Sequence, residues 1–125
     1  MKNFISTIIL LLSLSACTHL TAYEREFSRQ LAAKNITVDR PCGVWEAPAN
    51  PAAAGALNLL PGFGNFYLAS GNGADNSQYL VGFANLLLWP WSIFWGVPEA
   101  AIDAGTLNQR ELNYFCKDQL FTAAR

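Results

Sequence analysis

Charge is scarce in this chain where a folded domain ordinarily needs it: between Ala47 and Pro98 the only charged side chain is Asp75. A water-soluble domain wets its surface with Lys, Arg, Asp and Glu, so a stretch this long without them argues against an ordinary solvated surface. Basic residues are also few, eight against nine acids, with no Lys/Arg run. Nucleic-acid affinity rests on neutralising phosphates, so that class of partner is not expected. There is one histidine, His19, and neither Cys42 nor Cys116 has a nearby His or second Cys, so neither a metal nor a cofactor is expected. Gly-x-Ser-x-Gly and Ser-x-x-Lys patterns are absent, and no catalytic residue is assigned.

What is present begins at the N-terminus. Lys2 gives a basic start, Phe4 to Leu14 form an apolar run, and Leu14-Ser15-Ala16-Cys17 closes it. That order is a secretory signal peptide. The run is about half of the ~20 residues needed to span a bilayer, which argues against a retained anchor. Ending on Cys17, the segment resembles the lipobox of bacterial lipoproteins. The resemblance implies cleavage between Ala16 and Cys17, removal of residues 1–16, and acylation of Cys17 by diacylglycerol and palmitate. In that family Asp after the cysteine favours inner-membrane retention. Thr18 stands here, which implies an outer-membrane location facing the periplasm. Cleavage would remove Lys2 and leave seven basic against nine acidic side chains. With Cys17 committed to lipid, Cys42 and Cys116 remain as a candidate disulfide in an oxidising compartment.

The fold class expected is all-α. Residues 17–50 form a lipidated N-terminus, an amphipathic helix and a linker. In Thr21 to Asn35, Tyr23, Phe27 and Leu31 recur at helical spacing, and Thr21 with Glu24 forms a capping box. Residues 51–104 form an apolar helical hairpin with Pro/Gly breaks. Asn50 caps Pro51 to Leu60, Pro61-Gly62 interrupts, Phe63 to Ser70 continues, and residues 71–77 turn. A second apolar segment runs from Gln78 to Val97, with Trp89, Trp91 and Trp95 crowded toward one end. Its length alone is enough to span, but Asn85 and Pro90 lie inside it, which favours a re-entrant or interfacial hairpin. Pro98 is expected to start a new helix with Glu99 in its first turn, and Gly105 is a candidate break before a C-terminal polar helix over residues 105–125. In that helix Leu112, Phe115 and Cys116 share a face.

Leu60-Pro61-Gly62-Phe63-Gly64-Asn65-Phe66-Tyr67-Leu68-Ala69-Ser70-Gly71 is similar to the first half of a TM2-type domain. Gly82, Trp95 and Ala101-Ile102-Asp103 fit the second half. The likeness covers residues 57–112, with Gly64-Asn65 where the family has His-Arg, and with Pro61 in a helix the family keeps whole. It implies a membrane-associated helical hairpin, no enzymatic activity, and an Asp103 that caps or pairs across the hairpin.

Other candidates for chemistry have simpler readings. Glu99 and Asp103, spaced i, i+4, could form an acid–base pair or hold a cation, but a helix-start acid and a pairing acid account for them as well. Asp75 belongs to a turn without calcium-loop spacing. His19 stands two residues from the lipid attachment. The expectation is a non-enzymatic envelope lipoprotein, held by membrane lipid through acylated Cys17 and through the apolar hairpin. Gly62, Gly64, Gly82 and Ala84 would permit close helix approach in a homo-oligomer. The alternative is an accessory or adaptor subunit of an envelope secretion or transport complex, the hairpin being covered by a protein partner.

Overall fold

The computed structural model describes residues 19–71 and 76–122. The signal segment, the cleavage pair Ala16–Cys17 and most of the 71–77 turn, Asp75 included, lie outside the described residues. The fold is all-α: α1 (Ala22–Ala33), α2 (Pro51–Leu57), α3 (Phe63–Ser70), α4 (Ser77–Leu87) and α5 (Ile93–Thr122). Among the described residues the only β pairing is an isolated bridge, Thr37 with Arg40.

Local chemistry sets the first two helix starts. The Thr21 hydroxyl accepts the Glu24 N–H and the Glu24 carboxylate accepts the Thr21 N–H, a complete capping box. Asn50 accepts from the N–H groups of Ala52 and Ala53, with Pro51 at the first helical position. Gly62 precedes α3 in a left-handed conformation, φ 83°, facing the backbone of Gly82 so closely that no Cβ fits.

Three expectations are corrected by α5. It starts at Ile93 and not at Pro98, so Pro98 lies inside it and Glu99 well beyond its first turn. Proline keeps a helical φ and removes one donor, here to the Phe94 carbonyl near the helix start, where Phe94 and Pro98 are both exposed. Gly105 does not break the helix, which passes unbroken through the expected boundary between residues 104 and 105. The apolar segment Gln78 to Val97 is also not one helix. Leu88 to Ser92 form a turn around a cis Trp89–Pro90 peptide. Among the described residues no helix is long and apolar enough to cross a membrane.

Thirty residues of α-helix run about 45 Å, and α5 serves two packing units in succession. Its first part packs with α2 and α3 around Ala54, Leu68, Ala100, Ala104 and Leu107, and α4 packs on α3. Its second part packs with α1 and residues 36–45 around Leu31, Leu112 and Cys116. We refer to these as the head and the foot. The Asn108 side chain joins them, accepting from Ala49 N–H at 2.9 Å and donating to Ala49 C=O at 2.7 Å. In the foot Cys42 and Cys116 are joined by a disulfide, Cα–Cα 5.8 Å.

Candidate functional site

The head has its polarity reversed. Its buried side chains include Asn58, Asn65, Gln78, Asn85, Ser92 and Asp103, none more than 3% exposed. Its exposed ones include Leu87 at 84%, Phe94 at 79%, Leu80 at 75% and Trp91 at 70%. A soluble domain of this size places these classes the other way round, because buried amides need partners and large apolar patches mark a contact surface.

The buried amides are satisfied in sequence. Trp95 Nε1 donates to Asn85 Oδ1 at 2.9 Å, and Asn85 Nδ2 donates to Asn65 Oδ1 at 2.9 Å. Asn65 Nδ2 then donates to Gln78 Oε1 at 2.8 Å, and Gln78 Nε2 donates to Asp103 Oδ2 at 2.6 Å. Each amide offers its carbonyl to one neighbour and its N–H to the next, so α3, α4 and α5 are joined by a line of bonds with one polarity that ends on a carboxylate. Gln78 and Asn85 reach it together because seven residues are two helical turns. Asn58 closes the α2 side, donating to Gly96 C=O at 2.5 Å and accepting from Gly64 N–H at 3.0 Å.

These bonds also fix direction. Gly55 lies against Val97 and Ala101, and Asn58 against Gly96, so α2 runs antiparallel to the first part of α5. Asn85 meets Trp95 while Gln78 meets Asp103, so α4 does the same. The turns at 58–62 and 88–92 therefore lie at one end of the head, and the starts of α2 and α4 at the other. Small residues make the approach possible. A Cβ on Gly64 would strike the Ala54 carbonyl, and one on Gly82 would lie 2.6 Å from the Phe66 ring. Gly62, Gly64 and Gly82, expected to serve contact between copies, are occupied by contacts within the chain.

Asp103 pairs across the hairpin with Gln78 and is fully buried. Glu99, one turn earlier on α5, is half-buried, and its Oε1 has no hydrogen-bond partner. Burial first, and then the charge of Asp103, push its carboxyl up to about 7. The two carboxylates are thus brought together, but among the described residues no third His, Cys, Asp or Glu joins them in a metal-holding group.

The foot has ordinary polarity. Arg110 Nε lies 3.2 Å from Glu24 Oε1, and Arg110 Nη2 donates to His19 C=O at 2.9 Å. Burial pushes the Glu24 carboxyl up, but the Thr21 backbone N–H and hydroxyl, then Arg110, outweigh it and hold it below its usual value. His19 itself is exposed. The sequence reading gave Asp103 a pairing role across the hairpin but did not single out Asn58, Asn65 and Gln78. The available signal was amides seven apart, Asn58 with Asn65 and Gln78 with Asn85, in a stretch almost without charge. No protein-family model matches this chain, and no curated protein or solved structure matches it.

Proposed function

We propose that this chain is a non-enzymatic lipoprotein of the bacterial envelope, tethered to the periplasmic face of the outer membrane by acylated Cys17, with a helical head that associates with the bilayer. The observation that carries the reading is the reversed polarity of the head: side-chain amides inside, Leu80, Leu87, Trp91 and Phe94 outside. In an apolar surrounding, helices gain little from burying leucine and are held by close backbone approach and inter-helix hydrogen bonds. Glycine contacts and a satisfied amide line supply both here. The N-terminal Leu-Ser-Ala-Cys pattern at Cys17 supports the tether. Stable anchoring generally takes more than one acyl chain, and diacylglycerol with palmitate on Cys17 would meet that requirement.

The test is export of the mature chain with Cys17→Ser behind an ordinary cleavable signal, followed by carbonate washing of membranes. Retention in the pellet is expected. Complete release as a soluble monomer would mean that the head is covered by its own chain and that lipid alone is the tether.

A further inference from the structure

Resting on the membrane reading above, we infer that the head enters only one leaflet, the one that holds the Cys17 acyl chains, with the turns at 58–62 and 88–92 leading and the Gln78–Asp103 bond at headgroup level.

Four observations converge on that placement. The first is direction. The antiparallel registers of α2 and α4 on α5 put both turns at one end, and that end carries Leu59, Leu60, Leu87, Trp89, Trp91 and Phe94, all exposed. The second is depth. The eleven residues of α4 rise about 16 Å, half of a ~30 Å hydrocarbon core. From Asp103 back to Ile93 on α5 the rise is about 15 Å. The head is as deep as one leaflet, and among the described residues no helix is long and apolar enough to cross a membrane.

Third is the distribution of charge. Among the described residues from Pro51 to Pro98 no side chain is charged. The first carboxylates met on leaving the tip are Glu99 and Asp103, and beyond them α5 carries Arg110, Glu111, Lys117 and Asp118. A charged group at the bilayer centre costs about 3 kcal/mol in insertion, so the foot stays on the side from which the head entered.

The last is chain length. The His19 carbonyl is bonded to Arg110, seven residues past Asp103, which places it about 10 Å above the proposed headgroup level. Cys17 is two residues upstream of His19, and two extended residues reach about 7 Å. That covers about 7 Å of the ~10 Å down to the headgroup level, and the thioether-linked glycerol that would carry the acyl chains spans the rest, so the attachment fits the leaflet surface that the head crosses. It has no length to reach the other one.

Tryptophan quenching in phosphatidylglycerol vesicles, mixed with phosphatidylcholine brominated either shallow or deep in its acyl chains, tests the placement. The acylated mature chain is compared with W89F/W91F, both positions being exposed, so the difference signal reports the leading turn. We expect the deep bromines to quench that signal at least twofold more than the shallow ones. Leu60→Trp in the W89F/W91F background should report the same depth from the other turn. Stronger quenching by the shallow bromines, in protein that still floats with Cys17→Ser vesicles, would overturn the placement and leave the membrane reading intact. Quenching of the leading turn by iodide trapped inside the vesicles would overturn it by showing passage through both leaflets. Failure of the Cys17→Ser chain to float would remove the membrane reading itself, and the placement with it.

Discussion

Gln78 Nε2 donates to Asp103 Oδ2 at 2.6 Å, tying the first turn of α4 to α5 across 25 residues of sequence. It is the terminal bond of the amide line, and the only one that ends on a group able to hold a full negative charge. The line therefore has a direction, and removing Asn65, an interior member, breaks a bond on each side.

Asn65 is that interior member. Asn65→Ala removes the bond to Gln78 Oε1 and the bond from Asn85 Nδ2, both among buried residues. Breaking a buried hydrogen bond costs ~1–3 kcal/mol, so with two broken a loss of about 3 kcal/mol is expected in denaturant unfolding of the detergent-solubilised chain. Asn65→Leu should not rescue it, because the neighbours lose the same bonds.

Glu99 makes stability fall as pH rises. Its carboxyl is raised from 4.5 to about 7 by burial and by Asp103. Between these values the folded chain keeps a proton that the unfolded chain has released, so stability is fully present below the lower value and is lost as pH rises through the upper one. Thermal unfolding of Glu99→Gln should lack this slope, and the variant should melt above the parent at pH 8 and close to it at pH 4.

Reducing the Cys42–Cys116 bridge should act on the foot. The cross-link spans 74 positions, for which chain entropy gives about 4 kcal/mol. The double variant C42S/C116S should unfold earlier by up to that amount. Amide exchange should accelerate in α1 and residues 36–45 before it does in α3 and α4, whose packing does not include the bridge.

Gly105 offers a clean gain. It lies inside α5 and a Cβ there meets nothing within 4 Å, so Gly105→Ala should stabilise the chain by about 0.5–1 kcal/mol in thermal or denaturant unfolding. Gly82→Ala, which would press a methyl into the Phe66 ring, should do the reverse in the same measurement.

Leu87 is 84% exposed and supports none of the packing inside the head. Leu87→Asp should leave folding stability within about 0.5 kcal/mol. On the one-leaflet placement it should weaken vesicle binding of the Cys17→Ser chain on the order of 50-fold, from ~2.5 kcal/mol for a carboxylate in hydrocarbon. Sedimentation with vesicles reads the difference.

What could be read from the sequence was what short-range chemistry determines. Thr21 with Glu24, and Asn50 with Pro51, are signals within four residues, and both define helix starts as expected. The all-helical class followed from the periodicity of Phe27 and Leu31 and from the shared face of Leu112 and Cys116. Positions decided by tertiary contact were not legible. Pro98 looks like a helix start because its ring suits the first turn, yet Asn85, Asn58 and Gly96 pack the chain before it into helix as well. Gly105 looks like a break because glycine is a poor helix former, but packing on both sides, Ala104 in the head and Leu112 in the foot, holds the helix through it. The amide line could not be foreseen as a line, since its members come from three helices whose mutual register no local pattern encodes.

From Ile93 to Thr122 α5 is one continuous helix, with Pro98 inside it near its start. A continuous helix carries a rotation of the head along its length. If the head tips by ten degrees, the far end of a rod about 45 Å long swings by about 8 Å. On the membrane reading, a change in thickness or lateral pressure around the tryptophans would become a displacement of Tyr114, Lys117 and Asp118, far from the surface where the change occurred.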